Sequence, residues 1–136
     1  MDALDCVRIT VFGTRENLRV LFVSDTWFLD GTFQMVPSIF FQVFVLMASV
    51  TQVHKCIERK VSLPFLYALL ENKKEETYTK VLQVTTEFVT EAGIQICNPT
   101  TVISDFEMAI INAAKSRFDK DIIRVCLFQN VYRKIQ

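Results

Sequence analysis

Histidine is nearly missing from this chain of 136 residues: His54 is the only one. A Ser-His-Asp or Cys-His mechanism then has one candidate base and no second, and a His-rich metal centre is excluded. Cysteine is sparse and poorly spaced for chemistry. Cys6, Cys56, Cys97 and Cys126 form no CxxC pair, which leaves no zinc knuckle and no redox motif, so reduced intracellular thiols are expected. Only three Gly and three Pro occur, too few for a collagen-like or linker-dominated chain. Neither charge sign is in excess. Fifteen Lys and Arg are interspersed with fifteen Asp and Glu, so no strong field points to nucleic acid or anionic lipid. The opening MDALDCVRIT has no basic stretch ahead of an apolar run and does not read as a secretory signal, which makes nucleus or cytoplasm the expected location.

What the chain has is apolar bulk. Hydrophobic residues make up 51% of it, with twelve Phe, three Tyr and one Trp. That composition at this length implies a single packed domain with a strongly aromatic core, or with a surface that a neighbour should cover. From Gly31 to Val53 there are 23 residues without a charge, long enough to span a bilayer as a helix. Thr32, Gln34, Pro37, Ser38, Gln42, Ser49, Thr51 and Gln52 interrupt that run, however, and IFFQVFVLMASV is aromatic and β-branched. A buried strand from Ile39 to Ala48 is therefore expected, with no membrane partner; a small membrane protein is the weaker alternative.

The remaining elements follow from periodicity and punctuation. Asn17 to Ser24 is apolar but too short for helix and strand to be told apart. In WFLDGTF, residues 27 to 33, Trp27, Leu29, Gly31 and Phe33 alternate with Phe28, Asp30 and Thr32, the pattern of a strand with a carboxylate on one face. Pro37-Ser38 breaks the chain before the second strand. Val61 to Leu70 makes a third, with Pro64 tolerable only near its start or at an edge, and the intervening SVTQVHKCIERK reads as charged and irregular. Asn72 and Glu75 resemble a capping pair, after which Tyr78, Val81, Leu82, Thr85, Phe88, Val89 and Ala92 recur at helical spacing up to a stop at Gly93. Thr101 to Ser104 is a short β-branched strand. Ser104-Asp105-Phe106-Glu107 fits a capping box opening a largely apolar helix, Ile122 to Phe128 reads as a fifth strand, and NVYRKIQ opens a further helix.

The predicted order is βββαβαβ plus the start of a helix. It suits an α/β fold with a mixed sheet, in which the first strand is central and pairs with the fourth: a ribonuclease H-like arrangement, incomplete at the C-terminus. That layout brings together Asp30 and Asp105, 75 positions apart. Each has an ordinary explanation too, Asp105 beside the positive end of a helix and Asp30 as a turn residue before Gly31.

WFLDGTF at 27 to 33, Pro37, Phe40 and Gln42 in PSIFFQ, LPFLYALLENKKEETY at 63 to 78, SDFEMAIINA at 104 to 113, Cys126, and QNVYRKIQ at 129 to 136 together resemble the Mutator-like element (MULE) transposases and their domesticated relatives. The resemblance covers residues 15 to 136, leaving 1 to 14 as an N-terminal extension. It implies a DDE-type catalytic domain for metal-dependent DNA cleavage and strand transfer, with Asp30 and Asp105 as the first two acids and the ligands of Mg²⁺ or Mn²⁺. It also implies DNA as substrate, a second copy or another transposase chain as partner, and a nuclear setting by ancestry.

Three departures from the family pattern bear on activity. The family's third acid lies on a later helix, and no such position is reached by Gln136. A His expected shortly after Cys126 is absent, since Leu127-Phe128 runs directly into Gln129. Between the second and third strands, where the family has a compact hairpin, stands SVTQVHKCIERK. The expectation is a truncated or domesticated domain that is inactive as given, the alternative being a non-catalytic DNA- or protein-interaction module. Glu107 is assigned to its own cap and Asp25 to a loop.

Overall fold

The computed structural model describes residues 9–32 and 42–125. The expected break at Pro37-Ser38, the first residues of the strand from Ile39, Cys126, the end of the fifth predicted strand and the helix opening at NVYRKIQ lie outside the described residues. Within them run β1 (Ile9–Phe12), α1 (Arg15–Leu21), β2 (Thr26–Thr32), β3 (Gln42–His54), β4 (Ile57–Leu70), α2 (Glu75–Glu91), β5 (Thr101–Ser104), α3 (Met108–Arg117), a 3₁₀ turn over Lys120–Ile122 and β6 (Ile123–Val125). The βββαβαβ order is present as β2 to β6. Ahead of it come a strand the sequence did not suggest and a helix over the segment whose type periodicity left open.

The six strands form one mixed sheet in the order β1-β4-β3-β2-β5-β6. β2, β3 and β4 make an antiparallel meander, β1 adds antiparallel to β4, and β2–β5 and β5–β6 are parallel. This mixed α/β architecture is compatible with a ribonuclease H-like fold. β2 sits inside the sheet between β3 and β5, as the alternation in WFLDGTF requires.

The period of two explains the burial. Trp27 and Leu29 on β2, Phe44, Leu46 and Ala48 on β3, Leu66, Ala68 and Leu70 on β4 and Val102 on β5 are buried in one cluster with Leu18, Leu21, Val81, Val89, Ile110 and Ala114 of the helices. All three helices therefore cover the same face. Trp27 anchors it: its ring meets Phe22 and Phe118 edge-on at 5.2 and 5.4 Å, and its indole N–H donates to the Leu21 carbonyl at 2.8 Å. Such edge-to-face pairs add about 0.5–1.5 kcal/mol each beyond burial. The alternate residues Phe28, Asp30, Val43, Val45, Met47, Leu69 and Ile103 are half-buried.

Local signals hold in part. α2 ends where Gly93 takes φ +73°, with Gly93 N–H donating to Thr90 and Ile94 N–H to Val89, the paired bonds of a Schellman stop. Its start differs from expectation. Asn72 is not the cap; its Oδ1 accepts from Lys74 N at 3.0 Å and Thr77 Oγ1 at 2.6 Å, fastening the loop just before the helix. Pro64 lies at a register shift where Leu46 pairs with Leu66 but Met47 with Pro64, so Phe65 is the extra residue of a bulge. On the other side of β4, pairing with β1 begins only at Tyr67, so the missing N–H of Pro64 interrupts no described ladder there.

SVTQVHKCIERK is not irregular. It is the far half of a β-ribbon in which β3 and β4 pair without interruption from Ser49↔Ser62 to His54↔Ile57. Residues 51 to 60 are exposed, so neither face carries the apolar alternation by which a strand is recognised. The two-residue turn is Lys55-Cys56, both at positive φ, 50° and 64°. Asn-Gly fills such turns because Gly has no Cβ and the short Asn side chain tolerates the left-handed region through local hydrogen bonds, whereas other side chains cost ~1–2 kcal/mol there. Replacing Lys55→Asn and Cys56→Gly together is expected to raise stability by about 1 kcal/mol, read as a higher urea midpoint at unchanged slope. A lower midpoint would contradict this account of the turn.

Candidate functional site

β2 and β5 pair from Thr26↔Thr101 to Leu29↔Ser104. Asp30 and Asp105 are the residues that directly follow the last of these pairs, Asp30 within β2 and Asp105 just past the end of β5. The backbone carbonyl of Asp25 locks the start of the pair, accepting from Thr100 N at 2.8 Å, Thr101 N at 3.0 Å and Thr100 Oγ1 at 3.1 Å. Asp25 was expected only as a loop residue; its structural part is carried by the main chain, which side-chain patterns do not reveal.

Asp30 is half-buried, between the buried Leu29 and Gly31. Asp105 is 4% exposed and follows the buried Ser104. The capping box is not formed. Ser104 belongs to β5 and its hydroxyl donates to the Asp105 carbonyl at 3.0 Å, while α3 begins at Met108 behind Glu107, without a side-chain cap bond. Glu107 instead accepts from the Tyr78 hydroxyl at 3.0 Å, and that hydroxyl accepts from Gln42 Nε2. A tertiary bond to a buried phenol has displaced the local one.

Gln42 and Tyr78 are both fully buried. An ionised carboxylate only accepts, so the single Tyr78 proton goes to Glu107 and the Gln42 amide must present an N–H to the phenol oxygen. This turns Gln42 Oε1 toward Gly31, where an added Cβ would come within 2.7 Å of it. Burial, and then the negative charges of Glu107 and Asp105, hold the Tyr78 hydroxyl well above the usual phenol range. Sequence reasoning placed Tyr78 on the apolar face of its helix, which is correct, but did not join it to Glu107. The available signals were a Gln in an apolar strand and a Tyr at a core position, both of which need a polar partner.

Two carboxylates can serve one hard divalent cation when water completes its shell. Among the described residues no group of three His, Cys, Asp or Glu side chains is arranged to hold a metal ion. Among them, too, no helix is long and apolar enough to cross a membrane, and the uncharged run holds the strand β3.

A family model described as the MULE transposase domain matches residues 26–133. The chain belongs to this family. The match begins at the first residue of β2, so β1 and α1 precede it. No curated protein and no solved structure matches the chain. The MULE transposase family is generally divalent-metal dependent and acts on DNA, which gives the paired acids of this domain their interest.

Two outcomes are expected from this geometry. Gly31→Ala should destabilise the MULE domain by about 1–3 kcal/mol, because the new methyl meets an amide that is buried and already bonded. In a Gln42→Ala background most of that cost should vanish, and equal costs in both backgrounds would contradict the contact. The Tyr78 hydroxyl is raised in the folded protein above its ordinary value near 10, so its contribution is whole below about pH 10 and declines as pH climbs toward the folded value. The stability difference between wild type and Tyr78→Phe should therefore shrink above about pH 10; a constant difference in alkaline denaturant titrations would refute it.

Proposed function

We propose that this MULE domain is the DNA-cleaving and strand-transfer domain of a DDE-type transposase in descent, with Asp30 and Asp105 as the residues that hold its Mg²⁺ or Mn²⁺. What supports the reading is the parallel pairing of β2 with β5, whose last pair, Leu29↔Ser104, stands immediately before Asp30 and Asp105 in each strand. The bound ion would supply charge neutralisation for an attacking or leaving phosphodiester oxygen. The two side chains would present hard oxygen donors, Asp30 from within β2 and Asp105 from just past β5, where the paired backbone limits how far they can move. The substrate class is DNA, the expected partner a second copy or another transposase chain, and the compartment the nucleus or cytoplasm.

The same reading implies that the chain as given does not cut DNA by itself. Two-ion phosphoryl transfer needs more carboxylate than Asp30 and Asp105 provide. Glu107 is engaged by Tyr78, and Asp119 accepts from Asp121 N in the 3₁₀ turn leading into β6. Losing one electrostatic contributor of this kind costs roughly 10²–10³ in rate. A non-catalytic DNA-interaction module is the second reading, favoured by the lack of a three-residue metal cluster among the described residues.

Purified protein would be incubated with linear and nicked DNA in Mn²⁺, alongside Asp30→Ala and Asp105→Ala, while Mn²⁺ binding is followed by electron paramagnetic resonance. Weak Mn²⁺ binding that either substitution abolishes, without cleavage, is expected. Cleavage by the natural sequence that both substitutions remove would overturn the inactivity, and Mn²⁺ binding indifferent to both would overturn the metal role.

A further inference from the structure

We propose that Tyr78 is a positioning residue for the ion site, holding the flanks of Asp30 and Asp105 in register through Gln42 on one side and Glu107 on the other. The inference rests on the assignment of those two aspartates as metal ligands and adds residues that touch neither the ion nor DNA.

The bonds run from Gln42 at the start of β3, through Tyr78 in the first turns of α2, to Glu107 just before α3. Each end stops beside an acid. Gln42 Oε1 lies against the site of a Cβ at Gly31, the residue after Asp30, and Glu107 is two residues beyond Asp105. Three segments with no short connection to one another are thus joined, at Gly31 next to Asp30 on one side and at Glu107, two residues past Asp105, on the other. The Tyr78 ring is fixed independently, packed at 4.9 Å against Phe44, which pairs with Gly31 across β2 and β3. A buried phenol that only filled space would serve as well as Phe; this one meets a donor and a charged acceptor in a dry site, where losing either partner is costly.

The arrangement also gives Glu107 a place. Glu107 and Asp105 both act electrostatically on the Tyr78 hydroxyl, so an unanchored Glu107 would add negative charge close to Asp105. The Tyr78 proton holds one Glu107 oxygen, and the hydroxyl stays protonated at neutral pH because burial and the nearby charges oppose its ionisation. Partners that orient metal ligands in this indirect way typically change ion affinity by ~10–100-fold when removed.

The test measures the Mn²⁺ dissociation constant and melting temperature of the full chain as wild type, Tyr78→Phe, Gln42→Met, Glu107→Gln and Val89→Ala. Val89 is fully buried near the far end of α2 and serves as a control for lost stability alone. Tyr78→Phe is expected to weaken Mn²⁺ binding by about 10-fold, with Gln42→Met changing in the same direction, while Val89→Ala lowers the melting temperature and leaves affinity unchanged. Should Tyr78→Phe not fold, Gln42→Met decides by the same criterion. Wild-type affinity in Tyr78→Phe, or an equal loss in Val89→Ala, would overturn the positioning role. A loss in Glu107→Gln as large as in Asp105→Ala would also overturn it, by making Glu107 a ligand. If Asp30→Ala and Asp105→Ala abolish binding but Tyr78→Phe does not change it, only this inference fails; if the wild type binds no Mn²⁺, the metal assignment fails and takes this one with it.

Discussion

The parallel pairing of β2 with β5 is the constraint on which the rest of the molecule depends. It is short, four residue pairs, and non-local, since Thr26 meets Thr101. Short parallel ladders are weak, so the pair needs reinforcement from outside the ladder. At its start the Asp25 carbonyl takes two backbone N–H groups from the other strand. On its face, Trp27 is wedged between Phe22 and Phe118, residues that close α1 and α3. The segment that leads back from β4 is α2, whose helical stop at Gly93 returns the chain toward β5. If that pair slipped by one residue, Leu29 and Asp30 would exchange faces relative to β5 and the buried Leu29 would lose its place beside Ser104.

Buried polarity in this fold is of two kinds, and only one of them joins elements. Thr85 is buried but donates to Val81 one turn back in its own helix, and Thr77 bonds to Asn72 at the helix start. These are local arrangements that any helix can supply. Gln42 Nε2, the Tyr78 hydroxyl and Glu107 come from β3, α2 and the residue before α3 and bond to one another. A network of that kind specifies a unique packing more sharply than apolar contact does, since a shift of one element leaves polar groups buried without bonds. Gln42 lies against Gly31, the residue after Asp30, and Glu107 is two residues past Asp105.

Much of this was legible in the sequence, for reasons that can be given residue by residue. Trp27, Leu29 and Gly31 alternated because β2 has one face against the helices, and Val81, Leu82, Thr85 and Val89 recurred because α2 has one stripe against the sheet. β1 was not legible: ITVF is four residues long, too short for any period to emerge. The ribbon from Ser49 to Ser62 was missed because both its faces are solvated and its turn is Lys-Cys where a hairpin signal would be Asn-Gly. The S-x-x-E motif misled because it is a local rule, and Ser104 and Glu107 had stronger distant claims on them. Asp30 and Asp105 were singled out by element order and family resemblance together; neither residue has a local signature that sets it apart.

The strand geometry explains how a carboxylate can be held firmly without being packed. Along β2 the Leu29 side chain points to the helix-covered face and is wholly excluded from solvent, and on the same face a methyl group added at Gly31 would meet Gln42. Asp30 lies between them and takes the other face. Its backbone is pinned at both neighbours and by pairing with Val45, while its side chain stays half-buried. Because successive residues of a strand serve opposite faces, the core and the acid do not compete for the same space. Asp30 thus takes its position from two neighbours that themselves do no chemistry, and Asp105 takes its own from the buried Ser104 before it and the Glu107–Tyr78 bond after it. Backbone held in a paired strand positions a side chain more closely than a loop does, whatever the loops beyond it contribute.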